Sequence, residues 1–180
     1  MLLGIILAGG KSRRMGTDKA LLSWQGDTLL THAQQLLENA GCEQILVSRN
    51  APEFVQDIYT GKGPLAGVHA CLQASRADEV IVIPIDMPLL SSRCLIELVA
   101  QGRAANNSCF FAPSVLPCYL KNTAALVQLC DDCLKQERLS LHGFLHSIGA
   151  AKLAETNFAS ELTLMNTNTP QQWALANQFM

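Results

Sequence analysis

The chain has 180 residues, a length that suits one domain with a sizeable buried core. Hydrophobic residues make up 49% and charged residues 16%, which excludes a disordered chain. The 13 basic and 15 acidic residues leave a formal net charge of -2, so the strongly basic surface of a nucleic-acid-binding protein is absent. No apolar run reaches the ~18 residues that span a bilayer. Seven scattered cysteines and an apolar start without a basic leader predict a reduced, cytoplasmic protein.

Strand and helix patterns alternate along the first hundred residues. Short apolar runs predict strands at 2–7, 44–48 and 79–85. Apolar stripes and helix-starting residues predict helices at 29–40, 64–74 and 92–100. Because right-handed crossovers join such strands, we expect an α/β fold in which helices cover both faces of a mostly parallel sheet.

The second half is less regular. Strands are predicted at 109–112 and 115–120, and helices at 123–134, 140–148 and 170–177. No linker interrupts the chain, so residues 1–180 are predicted to form one domain with two halves, 1–105 and 106–180. Cys130 and Cys133 have CxxC spacing without a second pair, which favours two surface or half-buried helix thiols over a zinc or redox site.

The loop after the first strand is rich in glycine and cations. Gly9 and Gly10 allow a ligand to approach the main chain, and four cations follow: Lys11, Arg13, Arg14 and Lys19. This composition predicts a polyphosphate ligand. The spacing is not that of a P-loop, whose first glycine would fall at Ile5, nor that of a dinucleotide fingerprint.

Two further segments follow strand ends, where ligands bind in parallel sheets. Asp86 follows the strand at 79–85 between two prolines; it is either a Mg²⁺ ligand or the cap of the next helix. Gly63-Pro64 opens a helix whose N-terminus attracts anions. Lys62 and His69 are predicted to pack or lie at the surface, and no Ser/His/Asp hydrolase signature is present.

Together these motifs resemble the molybdenum cofactor guanylyltransferase family of the nucleotidyltransferase superfamily. The resemblance rests on Leu7-Ala-Gly-Gly-x-Ser-x-Arg-Met-Gly-x-Asp-Lys19, Gly63-Pro-Leu-Ala-Gly67, Asp86-x-Pro88 and Asn166-x-Asn168-Thr-Pro170. It implies a three-layer, Rossmann-like nucleotidyltransferase fold. It also implies that residues 1–105 bind the nucleotide and that residues 106–180 form the acceptor side.

The resemblance assigns the nucleotide contacts. The main chain of Leu7, Ala8, Gly9 and Gly10 would contact the guanine nucleotide. Lys19 would hold the phosphates, Ser48 the base or ribose, and Asp57 the nucleoside.

The resemblance also assigns the metal and the acceptor side. Asp86 would bind Mg²⁺ and nucleotide, and with Lys19 and Arg14 it would form the catalytic set. Asn166 and Asn168 would face molybdopterin. The implied reaction is Mg²⁺-dependent transfer of GMP from GTP to the terminal phosphate of molybdopterin, with release of pyrophosphate. Transient contact with proteins of molybdenum insertion or molybdoenzyme maturation is also implied.

Two alternatives stay open, and a third is disfavoured. The chain departs from the family on the acceptor side at Leu116-Pro117, where members carry His-Pro. A related nucleotidyltransferase could use CTP or another phosphorylated acceptor. A nucleotide-binding partner in cofactor delivery would bind nucleotide without releasing pyrophosphate. A P-loop GTPase, which the misplaced glycine disfavours, would release orthophosphate instead.

Overall fold

The computed structural model describes residues 1–9 and 19–179 and shows strands and helices in alternation. In chain order the strands of this part are β1 (Leu2–Leu7), β2 (Ser23–Trp24), β3 (Asp27–Thr28), β4 (Gln44–Ser48), β5 (Glu79–Pro84), β6 (Cys109–Phe111), β7 (Cys118–Lys121) and β8 (Ala151–Leu153). The α-helices are α1 (Leu29–Asn39), α2 (Pro64–Gln73), α3 (Ser92–Ala105), α4 (Ala124–Lys135), α5 (Leu141–Ser147) and α6 (Pro170–Ala176).

The central sheet has the order β4-β1-β5-β7-β6-β8, and within it β7 alone runs antiparallel to its neighbours. β2 and β3 form a separate hairpin. In the parallel ladder Leu7 lies opposite both Ser48 and Pro84, so β1, β4 and β5 end together. The prediction of a mostly parallel sheet is confirmed.

Two hydrophobic layers cover the sheet. Side chains of β1 alternate between them: Leu3, Ile5 and Leu7 pack with α2, α4 and α5, whereas Leu2 and Ile6 pack with α1 and α3. This period of two is the expected consequence of strand geometry. Helices therefore lie on both faces, as predicted, and the carboxyl ends of the strands remain as one edge.

Several element bounds differ from the predicted ones. α3 runs to Ala105 rather than Ala100, and Gly102 lies inside it because the ring of Tyr119 occupies the space where a Cβ would be. β7 begins after Pro117, which has no N–H for the ladder. The hairpin of β2 and β3, and the three-residue strand β8, were not predicted because neither is long enough to show a period.

The cysteines are all unpaired and mostly buried. Cys130 and Cys133 both lie on the inner face of α4, so the expectation of surface or half-buried thiols is wrong. The reason is their spacing of three, which places them on the same side of a helix. Burial raises the pKa of the Cys130 thiol to about 12. Among the described residues no helix is long and apolar enough to cross a membrane.

A polar cluster holds the start of β5 to its neighbours. Arg103 of α3 donates to both carboxylate oxygens of Glu79, at 2.7 and 2.8 Å, and the hydroxyl of Tyr119 donates to Glu79 at 2.7 Å. The hydrogen bond from Arg103 is the largest cause that lowers the pKa of Glu79, to about 2. This cluster lies at the amino end of β5, the edge opposite to Asp86.

Candidate active site

The end of β1 connects the ends of both neighbouring strands. The carbonyl of Leu7 accepts the N–H of Ile85 at 3.1 Å, and the N–H of Ala8 donates to the carbonyl of Ser48 at 3.0 Å. Gly9 is exposed, and a Cβ there would lie 3.8 Å from the Ser48 oxygen. The predicted main-chain contacts at Leu7, Ala8 and Gly9 therefore lie at the edge where ligands bind in parallel sheets.

Part of the predicted phosphate loop lies outside the described residues. Gly10 and Arg14 belong to this part. Lys19 is described as the first residue of a single 3₁₀ turn, Lys19–Leu21. The nucleotide contacts of Gly10, Arg14 and Lys19 remain predictions.

Helix α2 starts beside the ends of β1 and β4. A Cβ on Gly67 would overlap the Oγ of Ser48 and would lie 3.2 Å from a methyl carbon of Leu7. The helix begins at Pro64, and the residue before it, Gly63, has φ +73° and gives no side-chain cap. The glycine at 67 allows this close approach, which brings the positive end of the helix dipole to the predicted nucleotide side.

Ser48 is the least accessible of the predicted ligand contacts. Its side chain is 3% exposed and lies under Gly67, and its carbonyl accepts the N–H of Ala8. The structure thus shows a packing role for Ser48. A base or ribose contact of this residue stays a prediction.

Asp57 is positioned by a residue that the sequence reasoning did not select. Asn50 donates to Asp57 Oδ2 at 3.0 Å, and its own Oδ1 accepts the Asp57 N–H at 2.9 Å. The chain folds back because Val55 donates to the carbonyl of Val47 and accepts from Arg49, each at 3.0 Å. The one available signal for Asn50 was its place two residues after the end of β4.

Asp86 is joined to the predicted acceptor segment. Its carbonyl oxygen accepts the N–H of Thr167 at 2.7 Å and the Thr167 hydroxyl at 3.1 Å. Thr167 lies between Asn166 and Asn168, so the structure brings these asparagines to the Asp86 loop from about eighty positions away. Sequence reasoning missed Thr167, although it stands between two predicted site residues.

An aromatic cluster packs against the same loop. Trp24 contacts the rings of His32 and Trp173, with centroids 6.3 and 5.4 Å apart, and the cluster includes Ile85 and Leu89 on either side of Asp86. The His32 ring is hydrogen-bonded to the main chain of Pro88, but burial is the larger effect and lowers the His32 pKa. His32 is therefore neutral at pH 7 and supports the loop by packing.

Lys62 and His69 make structural contacts, in agreement with their predicted packing or surface roles. Lys62 donates to the carbonyl of Leu134 at 2.9 Å and to Glu137 at 2.6 Å. His69 is 2% exposed, lies 3.5 Å from Asp131, and has its pKa lowered by burial. Tyr59 donates to the same Asp131 at 2.6 Å, which ties the segment after Asp57 to α4.

The donor set at Asp86 fits Mg²⁺ bound mainly through a ligand. Within the described part of the chain, no three His, Cys, Asp or Glu side chains come together as a metal cage. Mg²⁺ is usually held by one or two carboxylates together with substrate phosphates and water. A single half-buried carboxylate beside a predicted phosphate loop suits that mode.

A cavity of about 490 Å³ lies at the opposite edge of the sheet. Its lining includes Gln73 at the end of α2, Asp78 before β5, Asn122 before α4 and Asp131 within α4. The described residues of the predicted site do not line it. This cavity therefore does not coincide with the predicted site, which lies where the strand ends converge.

A family model and two relatives of known sequence indicate the same family for this chain. The family described as "MobA-like NTP transferase domain" matches residues 4–142. A molybdenum cofactor guanylyltransferase of Xanthomonas euvesicatoria pv. vesicatoria is 37% identical over 177 residues, 95% of this chain and 92% of the relative. Another from Yersinia pseudotuberculosis is 33% identical over 97% of this chain and 94% of its own.

A solved structure shares the fold. It is that of molybdopterin-guanine dinucleotide biosynthesis protein A from Archaeoglobus fulgidus. The TM-score is 0.78 at 20% identity, over 99% of this chain and 98% of the other.

Proposed function

The chain belongs to the family of MobA-like NTP transferase domains, and on that premise we propose that it transfers GMP from GTP to the terminal phosphate of molybdopterin. The observation that carries the proposal is the contact between Asp86 and Thr167 at the ends of β1, β4 and β5. This contact brings the predicted metal ligand and the predicted acceptor segment to the same edge as Leu7, Ala8 and Gly9. The relatives named as guanylyltransferases support the choice of nucleotide and acceptor.

In this proposal the nucleotide binds along the end of β1. Main-chain groups of residues 7–10 contact the guanine nucleotide, and Asp57, held by Asn50, accepts from nucleoside hydroxyls. Lys19 and Arg14 bind the phosphates. The N-terminus of α2 adds a favourable field for negative charge.

Asp86 would hold Mg²⁺ together with the nucleotide phosphates. When bound there, Mg²⁺ supplies charge neutralisation of the phosphate oxygens. The role of the Asp86 carboxylate would be to hold this ion, while Lys19 and Arg14 reduce the repulsion between triphosphate and acceptor. Asn166 and Asn168 hold the acceptor by its polar groups.

The reaction is an in-line displacement. An oxygen of the acceptor's terminal phosphate forms a bond to the α-phosphorus of GTP, the bond from that phosphorus to the α,β-bridging oxygen breaks, and pyrophosphate leaves with the electron pair. The attacking phosphate is already ionised at neutral pH, so it needs no general base. The protein contributes positioning and electrostatic stabilisation.

The test is a transfer assay with the purified protein, GTP, Mg²⁺ and molybdopterin. We expect pyrophosphate and the guanine dinucleotide to form in equal amounts, and neither to form when acceptor is omitted. Faster reaction with CTP would identify a cytidylyl branch. Nucleotide binding without pyrophosphate release would identify a non-catalytic partner, and release of orthophosphate would identify a nucleotide hydrolase.

We also place the reaction in the cytoplasm. The support is the set of seven unpaired cysteines, most of them buried, which suits a reducing compartment. Transient contact with proteins that insert molybdenum or mature molybdoenzymes belongs to the same proposal, since the product is a cofactor for other proteins.

A further inference from the structure

Thr167 forms an unusually direct connection between two distant parts of the chain. It donates both its N–H and its hydroxyl to one oxygen, the carbonyl of Asp86, at 2.7 and 3.1 Å. Its side chain is 2% exposed. We propose that Thr167 is a positioning residue that sets the direction of the Asp86 carboxylate; this inference rests on the proposed function.

Because Thr167 is buried, its hydrogen bonds can restrict the main chain at Asp86. At an exposed site water would replace a lost donor, but Thr167 itself is buried, so water cannot readily take the place of its hydroxyl. The Asp86 carbonyl and carboxylate belong to one residue, so fixing the carbonyl limits rotation of the main chain from which the side chain projects. The hydroxyl of Thr167 thus acts on Asp86 without touching a ligand.

The segment that carries Thr167 is itself fixed on both sides. Met165 packs in the cluster that contains Ile85 and Leu89. On the other side, the Gln172 side chain accepts the N–H groups of Asn168 and Thr169 at 2.9 and 3.1 Å, and Thr169 caps α6. Thr167 therefore joins two ordered elements, and the acceptor asparagines keep a fixed distance from Asp86.

Threonine is chemically specific in this position. Valine has the same shape without the donor, whereas serine keeps the donor without the methyl group. Thr167→Val removes one of the two hydrogen bonds and leaves the main-chain bond, so the variant should fold. Thr167→Ser should keep the function.

A matched control exists in the same C-terminal segment. Thr156 also ties this segment to the body of the domain, since its hydroxyl donates to Glu97 of α3 at 2.8 Å. Thr156→Val removes this contact and the two main-chain N–H bonds that the same hydroxyl accepts from Phe158 and Ala159, at 3.3 and 3.2 Å, and none of them involves Asp86. This variant therefore shows how much loosening of the C-terminal segment alone changes the kinetics and the GTP affinity.

The experiment measures two quantities for each variant: kcat and KM for GTP in the transfer assay, and the gain in GTP affinity on adding Mg²⁺, by calorimetry without acceptor. We expect Thr167→Val to lower kcat about tenfold, the effect of one lost hydrogen bond, and to reduce the Mg²⁺-dependent gain. GTP affinity without Mg²⁺ should stay unchanged. Thr167→Ser and Thr156→Val should match the unaltered protein in both quantities.

The proposal is overturned if Thr167→Val behaves like the unaltered protein, or if Thr156→Val reproduces its effects. Failure of the proposed function gives a different result, because the unaltered protein would then show no transfer. In that case the calorimetric comparison still decides the role of Thr167, since it needs no acceptor.

Discussion

The two loops that follow β4 and β5 are held in contrasting ways. Residues 49–63 are fixed by side-chain pairs with exposed members, such as Asn50 with Asp57. The loop at Asp86 is fixed through its main chain by the buried Thr167 and by aromatic packing. Since water can replace an exposed hydrogen bond but not a buried one, the first loop should tolerate substitution and the second should not. The molecule thus separates an adaptable loop on the predicted nucleoside side from a rigid loop that carries the predicted metal ligand.

The largest expected effect comes from the rigid loop. Asp86→Asn keeps the carbonyl that Thr167 holds but removes the charge, so turnover should fall by about a thousandfold. GTP affinity should fall far less, because main-chain contacts at β1 remain. Steady-state kinetics and calorimetry measure the two quantities. Asp78→Asn, at the opposite edge, should have neither effect. Normal Mg²⁺-dependent turnover in Asp86→Asn would disprove the metal assignment.

A smaller effect is expected where α2 meets the strand ends. Gly67→Ala would push against Ser48 and Leu7 and should cost about 1–3 kcal/mol of unfolding free energy. It should also weaken GTP binding, since the displaced residues lie at the predicted nucleotide side. Denaturant titration and calorimetry measure both.

Gly102→Ala provides the matched control for that change. Its new Cβ would overlap the Tyr119 ring, far from the strand ends. Stability should fall comparably while GTP affinity stays unchanged. Adding Ser48→Ala to Gly67→Ala should recover part of the unfolding free energy that Gly67→Ala loses. If none is recovered, the packing described for Gly67 is wrong.

The exposed pair should matter only a few-fold. Asn50→Ala frees Asp57 to move, so guanosine affinity should drop about threefold, while unfolding free energy changes by less than about 1 kcal/mol. Equilibrium binding of guanosine tests this. Gln128→Ala removes another exposed amide–carboxylate contact, to Asp132 at 3.0 Å, and should leave binding intact. If Asn50→Ala lowered guanosine affinity by as large a factor as Asp86→Asn lowers turnover, the two loops would not differ in their tolerance of substitution.

Glu79→Gln should leave the site unaffected but lower the stability of the fold at neutral pH and weaken its dependence on acid. Because its pKa is lowered to about 2 in the folded protein, the carboxylate stabilises the fold above its unfolded pKa of roughly 4.5 and loses this effect as the pH falls toward 2. The variant should lose about 2 kcal/mol at pH 7 and show a flatter decline between about pH 5 and 2. Denaturation at several pH values measures this decline in unfolding free energy. If the variant declines as steeply as the unaltered protein, the pKa of Glu79 is not lowered.

The sequence predicted the parts of the fold that depend on local patterns. β1 and β4 have the predicted bounds, and the family suggested by the motifs is confirmed. What it could not predict were contacts between distant residues, such as Thr167 with Asp86, because a hydroxyl carries no signal of its partner. Gly102 is similar: only the position of Tyr119 explains a glycine inside α3.

Calorimetric titration of the purified protein with GTP and with CTP, each with Mg²⁺, tests the proposed guanylyl transfer most directly. If the end of β1 and the loop at Asp57 form a guanine nucleotide site, GTP should bind at least about tenfold more tightly than CTP, a difference of about 1.4 kcal/mol. Tighter binding of CTP would contradict guanylyl transfer, although Asp86 and Lys19 could keep their roles.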